Sequence, residues 1–137
     1  MIGRTAYCAT LVAVSLATGD ALAEGGVVVP VPSGQHVELH EVLLDESPGE
    51  TWARFRFLAP QIAEGEGGAA YEAASPDMDH LCNELALPYL KANSLTPARV
   101  VISLSDRHVP FGSADAEATQ FFETYSPEAA GCVWEEY

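Results

Sequence analysis

Apolar and polar positions alternate along several short runs of this chain, and the first clean alternation predicts a hairpin. Between His36 and Asp45 the apolar Val37, Leu39 and Leu43 are separated by polar neighbours, the period of a strand with one face buried. Ser47-Pro48-Gly49-Glu50 follows, with proline presetting φ and glycine free to take a positive φ, which is turn chemistry. A second run from Thr51 to Ala59 places Ala53, Phe55 and Phe57 on one face and Trp52, Arg54 and Arg56 on the other. The aromatic face is expected to be buried, with both arginines pointing outward.

Upstream, the glycines and prolines of Glu24 to Gln35 oppose a helix and predict an extended lead-in. Downstream of Pro60, the stretch from Ala63 to Ser75 has few large apolar groups and reads as a loop with one helical turn. Ser75-Pro76-Asp77 then predicts a helix start, because serine caps free N–H groups, proline suits the first turn and an acid matches the helix dipole. Met78, Leu81, Cys82, Leu85 and Tyr89 recur at three- and four-residue spacing and line one face. Pro88 predicts a bend, or a stop and restart, before an end near Lys91.

Arg99 to Ser105 is rich in β-branched residues and predicts a central strand, with Val100, Ile102 and Leu104 on one face and Val101 on the other. A second helix is expected from Ala114 to Tyr125, capped by Ser113 or Asp115, with Ala118, Phe121, Phe122 and Tyr125 as its apolar side and Ser126-Pro127 as its stop. Gly131 to Tyr137 alternates Cys132 and Trp134 against Val133 and Glu135, so a last short strand is expected at the sheet edge or beside the central strand. The sum is an α+β domain: a small, mostly antiparallel sheet of about four strands with two helices packed on one face.

The first 23 residues change the picture of where this domain works. Arg4 in a short positive region, an apolar stretch from Thr5 to Thr18 and the small-x-small triplet Ala21-Leu22-Ala23 follow the order of a cleavable signal peptide. The apolar stretch is interrupted by Tyr7, Ser15 and Gly19 and is shorter than the roughly 18 to 20 residues a spanning helix needs. Cys8 lies inside the leader and Glu24 follows the cleavage point, which disfavours lipid anchoring. The reading is therefore residues 1–23 as signal peptide and 24–137 as a single acidic domain, periplasmic or secreted.

Cleavage removes one base, Arg4, and one acid, Asp20, so the net charge stays at −14. That surface repels phosphate backbones and anionic lipid, arguing against nucleic acid and membrane as partners; it serves solubility, or favours a basic partner or a cation. Losing Cys8 leaves Cys82 and Cys132 as an even pair in a compartment where disulfides persist, so a bond between them is expected. Free thiols in redox or metal chemistry are the alternative, but no CxxC pair is present.

The segments VPSGQ (Val31 to Gln35), RFRFLAP (Arg54 to Pro60), Asp77-Met78 with Leu81-Cys82, VISLSDR (Val101 to Arg107), ATQFFETY (Ala118 to Tyr125) and Cys132-Val133-Trp134-Glu135 resemble an uncharacterised family of short exported alphaproteobacterial proteins, a domain of unknown function. The likeness spans nearly the whole mature chain. It implies export and a single domain, and it brings no catalytic residues to transfer. Some members of that family carry an acetolactate synthase label, which does not fit a chain this short for a thiamine-diphosphate enzyme.

Candidate chemistry is sparse, and no cofactor motif is present. His36 and His40 share a strand face, but four residues of strand span about 13 Å, too far for one ion. Asp77, His80 and Glu84 share a helical face at i, i+3 and i+7, a spacing that brings oxygen and imidazole ligands together, but first-turn acids and an ordinary i, i+4 pair account for it better, leaving a weak metal candidate. Arg54 and Arg56, with Trp52, are placed to grip a carboxylate or sulfate or to pair with Glu38 or Glu41 across the hairpin.

The segment Asp106 to Ser113, with Asp106, Arg107 and His108, follows the central strand at a point where ligand or partner contacts gather. A hydrolase would use Ser113, His108 and Asp106, but Phe111-Gly112-Ser113-Ala114 is not the GxSxG elbow. The functional expectation is a non-catalytic exported interaction or accessory domain with another envelope protein as its partner, and a small-molecule or cation binder and a small hydrolase are the alternatives.

Overall fold

A computed structural model of the chain describes residues 21–64 and 68–136. The expected leader lies outside the described residues except for Ala21, Leu22 and Ala23, which open the first strand. Among the described residues six strands make one sheet in chain order: β1 (Ala21–Val28), β2 (Glu38–Asp45), β3 (Trp52–Leu58), β4 (Arg99–Ser105), β5 (Gln120–Glu128) and β6 (Gly131–Glu135). Neighbours are antiparallel except β3 and β4, which run parallel.

A parallel pair needs a crossover. Here a 3-10 turn (Pro60–Glu64) leads toward α1 (Gly68–Leu81), a π-helical turn (Cys82–Ala86) and α2 (Leu87–Ala92). This helical stretch covers one face of the sheet. Phe55 stands beside Val42 on β2 and Ile102 on β4, and Phe57 beside Leu39 and Leu104. With Met78, Leu81, Cys82 and Leu90 from the helical stretch they form the buried core. Each fully buried large side chain contributes roughly 1.5–3 kcal/mol, so Phe55 and Phe57 make β3 a substantial part of the core.

The α+β class stands, but the sheet has six strands rather than about four, and one interrupted helical stretch replaces the two helices. The lead-in contributes β1, and α1 begins at Gly68, ahead of Ser75. Pro76 therefore sits inside the helix. Pro76 and Glu72 are both exposed, so the carbonyl deprived of its donor lies on the solvent side. Pro88 does not end the helix either. The π turn shifts the hydrogen-bond frame just before it, with Leu87 N donating to Cys82 O.

The expected helix from Ala114 to Tyr125 is absent. Asp115 instead closes a local turn, its Oδ1 accepting from Glu117 N at 2.9 Å and its carbonyl from Ala118 N at 3.1 Å. The chain then enters β5, where Phe121, Glu123 and Tyr125 register with Leu104, Ile102 and Val100. An aspartate that resembles a helix cap locally is thus a turn residue, because the next residues gain a full ladder against β4.

Three tethers join helix to sheet. Cys82 in the π turn is bonded to Cys132 on β6, and beside it Asn83 Oδ1 accepts from Cys132 N at 2.9 Å. Tyr125 donates its hydroxyl to Asp79 at 2.7 Å, and burial followed by that bond holds its pKa well above the usual tyrosine value. Asp77, fully buried, accepts from Ser33 N (2.9 Å), Ser33 Oγ (2.5 Å) and Gln35 Nε2 (2.8 Å), fixing the turn between β1 and β2 onto α1.

Candidate functional site

The face of the sheet opposite the helices carries the most distinctive chemistry. The alternation that buries Phe55 and Phe57 sends Trp52, Arg54 and Arg56 to this second face, next to Val101 and Ser103 of β4. Residues 106–119 fold back over it as a strap. Both ends of the strap are fixed by Asp106: its N–H donates to the Thr119 carbonyl at 3.0 Å, and its Oδ1 accepts from Thr119 N at 2.8 Å. The Arg107 side-chain bond first, with the Thr119 amide, holds the Asp106 carboxyl below the usual carboxylate range, overcoming the upward push of burial.

The middle of the strap is held by the arginines. Arg56 donates through Nη2 to the Val109 carbonyl and through Nη1 to Glu41 at 2.5 Å. Arg54 donates through Nε to Asp45 at 2.8 Å. Burial raises the Asp45 pKa, but two bonds from Ser47 and the Arg54 contact outweigh it, so this carboxyl too lies below its ordinary range. Phe111 stacks over both cations, 5.6 Å from Arg54 and 5.7 Å from Arg56, while Trp52 lies 5.5 Å from Arg54.

Beneath the strap is a cavity of about 110 Å³, lined by Arg54, Arg56, Ser103, Phe111, Ser113 and Gln120 among others. Phe111 and Phe122 stand at its mouth, 44% and 57% exposed, large values for residues that the solvent would normally drive inward. The site has been assembled from β3, β4, β5 and the strap.

The other candidate residues are placed differently. His108 packs edge-on against His40, with ring centroids 4.3 Å apart, and Asp106 is engaged by Arg107 and Thr119. His40 lies where the β2 to β3 register shifts between Leu39 and Glu41, so it no longer shares a regular face with His36, which contacts Glu38 at 3.5 Å. Asp77 faces Ser33 and Gln35, whereas His80 is half-buried and Glu84 exposed. Among the described residues no group of three or more His, Cys, Asp and Glu side chains is placed to hold a metal ion.

Of the candidates expected from the sequence, Arg54 and Arg56 line the cavity while Asp106, Arg107 and His108 do not, and Ser103, Phe111, Gln120 and Phe122 line it without having been singled out as contacts. The period-2 pattern of β4 already put Ser103 with Val101; what was missing was the ladder that brings Gln120 and Phe122 beside them. Compared with known proteins, residues 9–137 match DUF6497, a family of unknown function. No curated protein and no solved structure matches the chain.

Proposed function

Because the chain belongs to DUF6497, whose function is unknown, activity must be read from its surfaces, and we propose that it is a non-catalytic exported domain that binds another envelope protein through the open face of its sheet. The observation that carries this reading is the exposure of Phe111 and Phe122 around two ordered arginines. Aromatic residues and arginine are the side chains that dominate binding energy at protein interfaces, particularly where a few are clustered and pre-positioned. Isolated apolar residues on a surface are ordinary, whereas an aromatic pair framing fixed guanidiniums is a recognition surface.

Export is supported by the leader pattern and by the Cys82–Cys132 disulfide, a bond at home in an oxidising compartment. Among the described residues no helix is long and apolar enough to cross a membrane. A net charge of −14 disfavours nucleic acid and anionic lipid as the partner. A hydrolase is less well supported, since Asp106 is engaged by Arg107 and Thr119 and the His108 ring lies against His40.

The test is mild crosslinking in the native envelope followed by affinity capture, with wild type and Phe122→Glu compared. Wild type should retain one reproducible partner that the folded variant loses. Equal capture by both, or no partner across repeated experiments, would overturn the reading.

A further inference from the structure

We propose that the cavity beneath Phe111 is a receptor for a carboxylate on a short aliphatic stem. The proposal rests on the open face being the binding surface, and it names the chemistry that this surface takes. Its first support is the composition of the lining. Arg54 and Arg56 line it together with Ser103, Ser113 and Gln120, and no acid is among the lining residues. The two carboxylates that pair with the arginines, Asp45 and Glu41, lie on β2, outside the lining. In a chain of net charge −14, this is a cavity whose charged lining is wholly cationic.

Donor supply is the second support. A guanidinium carries five N–H groups. Arg54 uses Nε on Asp45, and Arg56 uses one hydrogen each of Nη1 and Nη2 on Glu41 and Val109. Both terminal nitrogens of Arg54 therefore remain available for a fork-to-fork contact with the two oxygens of a planar carboxylate. The fork is also pre-oriented. Asp45 fixes it at one edge, and the rings of Trp52 and Phe111 hold it by cation–π contact, so little rotamer entropy is lost on binding.

Size and wall chemistry narrow the ligand. About 110 Å³ is well below the roughly 300 Å³ at which pockets for ordinary cofactors and drug-sized molecules begin, so the cavity suits a group of only a few heavy atoms. The apolar Val101, Val109, Phe111 and Phe122 suit a short hydrocarbon stem rather than a tetrahedral, fully polar oxyanion. The carboxylate is either that of a free short-chain acid or a glutamate side chain of the bound partner.

The experiment is a nuclear magnetic resonance titration of the full folded domain with sodium propionate, with propionamide as the uncharged analogue and sodium chloride at matched ionic strength. An acetylated, amidated tripeptide with a central glutamate forms a parallel arm. Propionate should give saturable shifts confined to the Arg54 and Arg56 Nε–H signals and the amides of Ser103, Gly112, Ser113 and Gln120, and propionamide should give none. Arg54→Lys, which keeps the charge and loses the fork, should weaken binding about tenfold or more. Phe111→Ala leaves both ion pairs intact and should also weaken it, which keeps the test decisive if the lysine variant does not fold.

Saturation by propionate with no response to the peptide assigns a free acid, and tighter saturation by the peptide than by propionate assigns a partner's glutamate side chain. Equal shifts with propionamide, unsaturable shifts, or unchanged binding in the folded variants would overturn the proposal. Failure here is separable from failure of the partner reading: lost capture by Phe122→Glu without any propionate response overturns the cavity alone, and the reverse pattern overturns the partner alone.

Discussion

Reducing the Cys82–Cys132 bond is the perturbation whose size follows most directly from the structure. The bond joins residues 50 positions apart, linking the π turn to the outermost strand β6. Closing a loop of that length removes chain entropy from the unfolded state equivalent to roughly 4 kcal/mol at 25 °C. Reduction leaves both sulfur atoms in place, so Cys82, fully buried, opens no cavity when the bond is cut. An unfolding entropy near 2.1 cal/mol/K per residue, over a domain of about 115 residues, gives roughly 240 cal/mol/K, and the loss then corresponds to a fall in Tm of about 17 °C. Thermal melts followed by circular dichroism, oxidised against fully reduced protein, measure it. A fall of less than about 5 °C would refute the reasoning, since a tether that small in effect would not be acting on the unfolded chain as a loop of this length must.

Other tethers give smaller or more local effects. Tyr125→Phe removes the hydroxyl bond to Asp79 and should cost about 1 kcal/mol in a urea melt, with no change in m-value. Asp77→Ala leaves the Ser33 and Gln35 donors without their acceptor and should cost about 2–3 kcal/mol, with loss of amide protection between β1 and β2. Gly131→Ala places a Cβ 2.8 Å from Asn83 Oδ1 at a φ of +139° and should cost more than about 1 kcal/mol, read as a lower urea midpoint. Asp45 and Asp106 have folded pKa values below their unfolded ones, so their contribution is complete above the unfolded value and is lost as pH falls through the folded one. Stability should therefore drop below about pH 4, and Asp45→Asn with Asp106→Asn should flatten that part of the curve.

Much of the hairpin was legible because its local pattern and its burial agree. Ala53, Phe55 and Phe57 have no other way to leave water together, and Arg54 and Arg56 are carried to the second face by the same alternation. The segment from Ser113 to Tyr125 was not legible for the opposite reason. Phe121, Phe122 and Tyr125 fit a helical stripe, while Phe121, Glu123 and Tyr125 fit a strand, and only the ladder against β4 decides between them. Ala70 to Ala74 posed the converse difficulty: few large apolar groups suggested a loop, yet an alanine-rich run is the best helix former and docks through buried Ala74 and the contact of Tyr71 with Phe121. The arginine site was half visible because its roof and far wall arrive from residues more than 45 positions away in the chain.

The parallel ladder between Trp52–Leu58 and Arg99–Ser105 is a seam between two antiparallel halves, one made by β1 to β3 and the other by β4 to β6. Neither half owns the cleft: the guanidiniums come from the first, while Ser103, Gln120 and the aromatic roof come from the second. A ligand held there as proposed would engage only molecules in which the halves have joined, and by mass action it would hold that join closed.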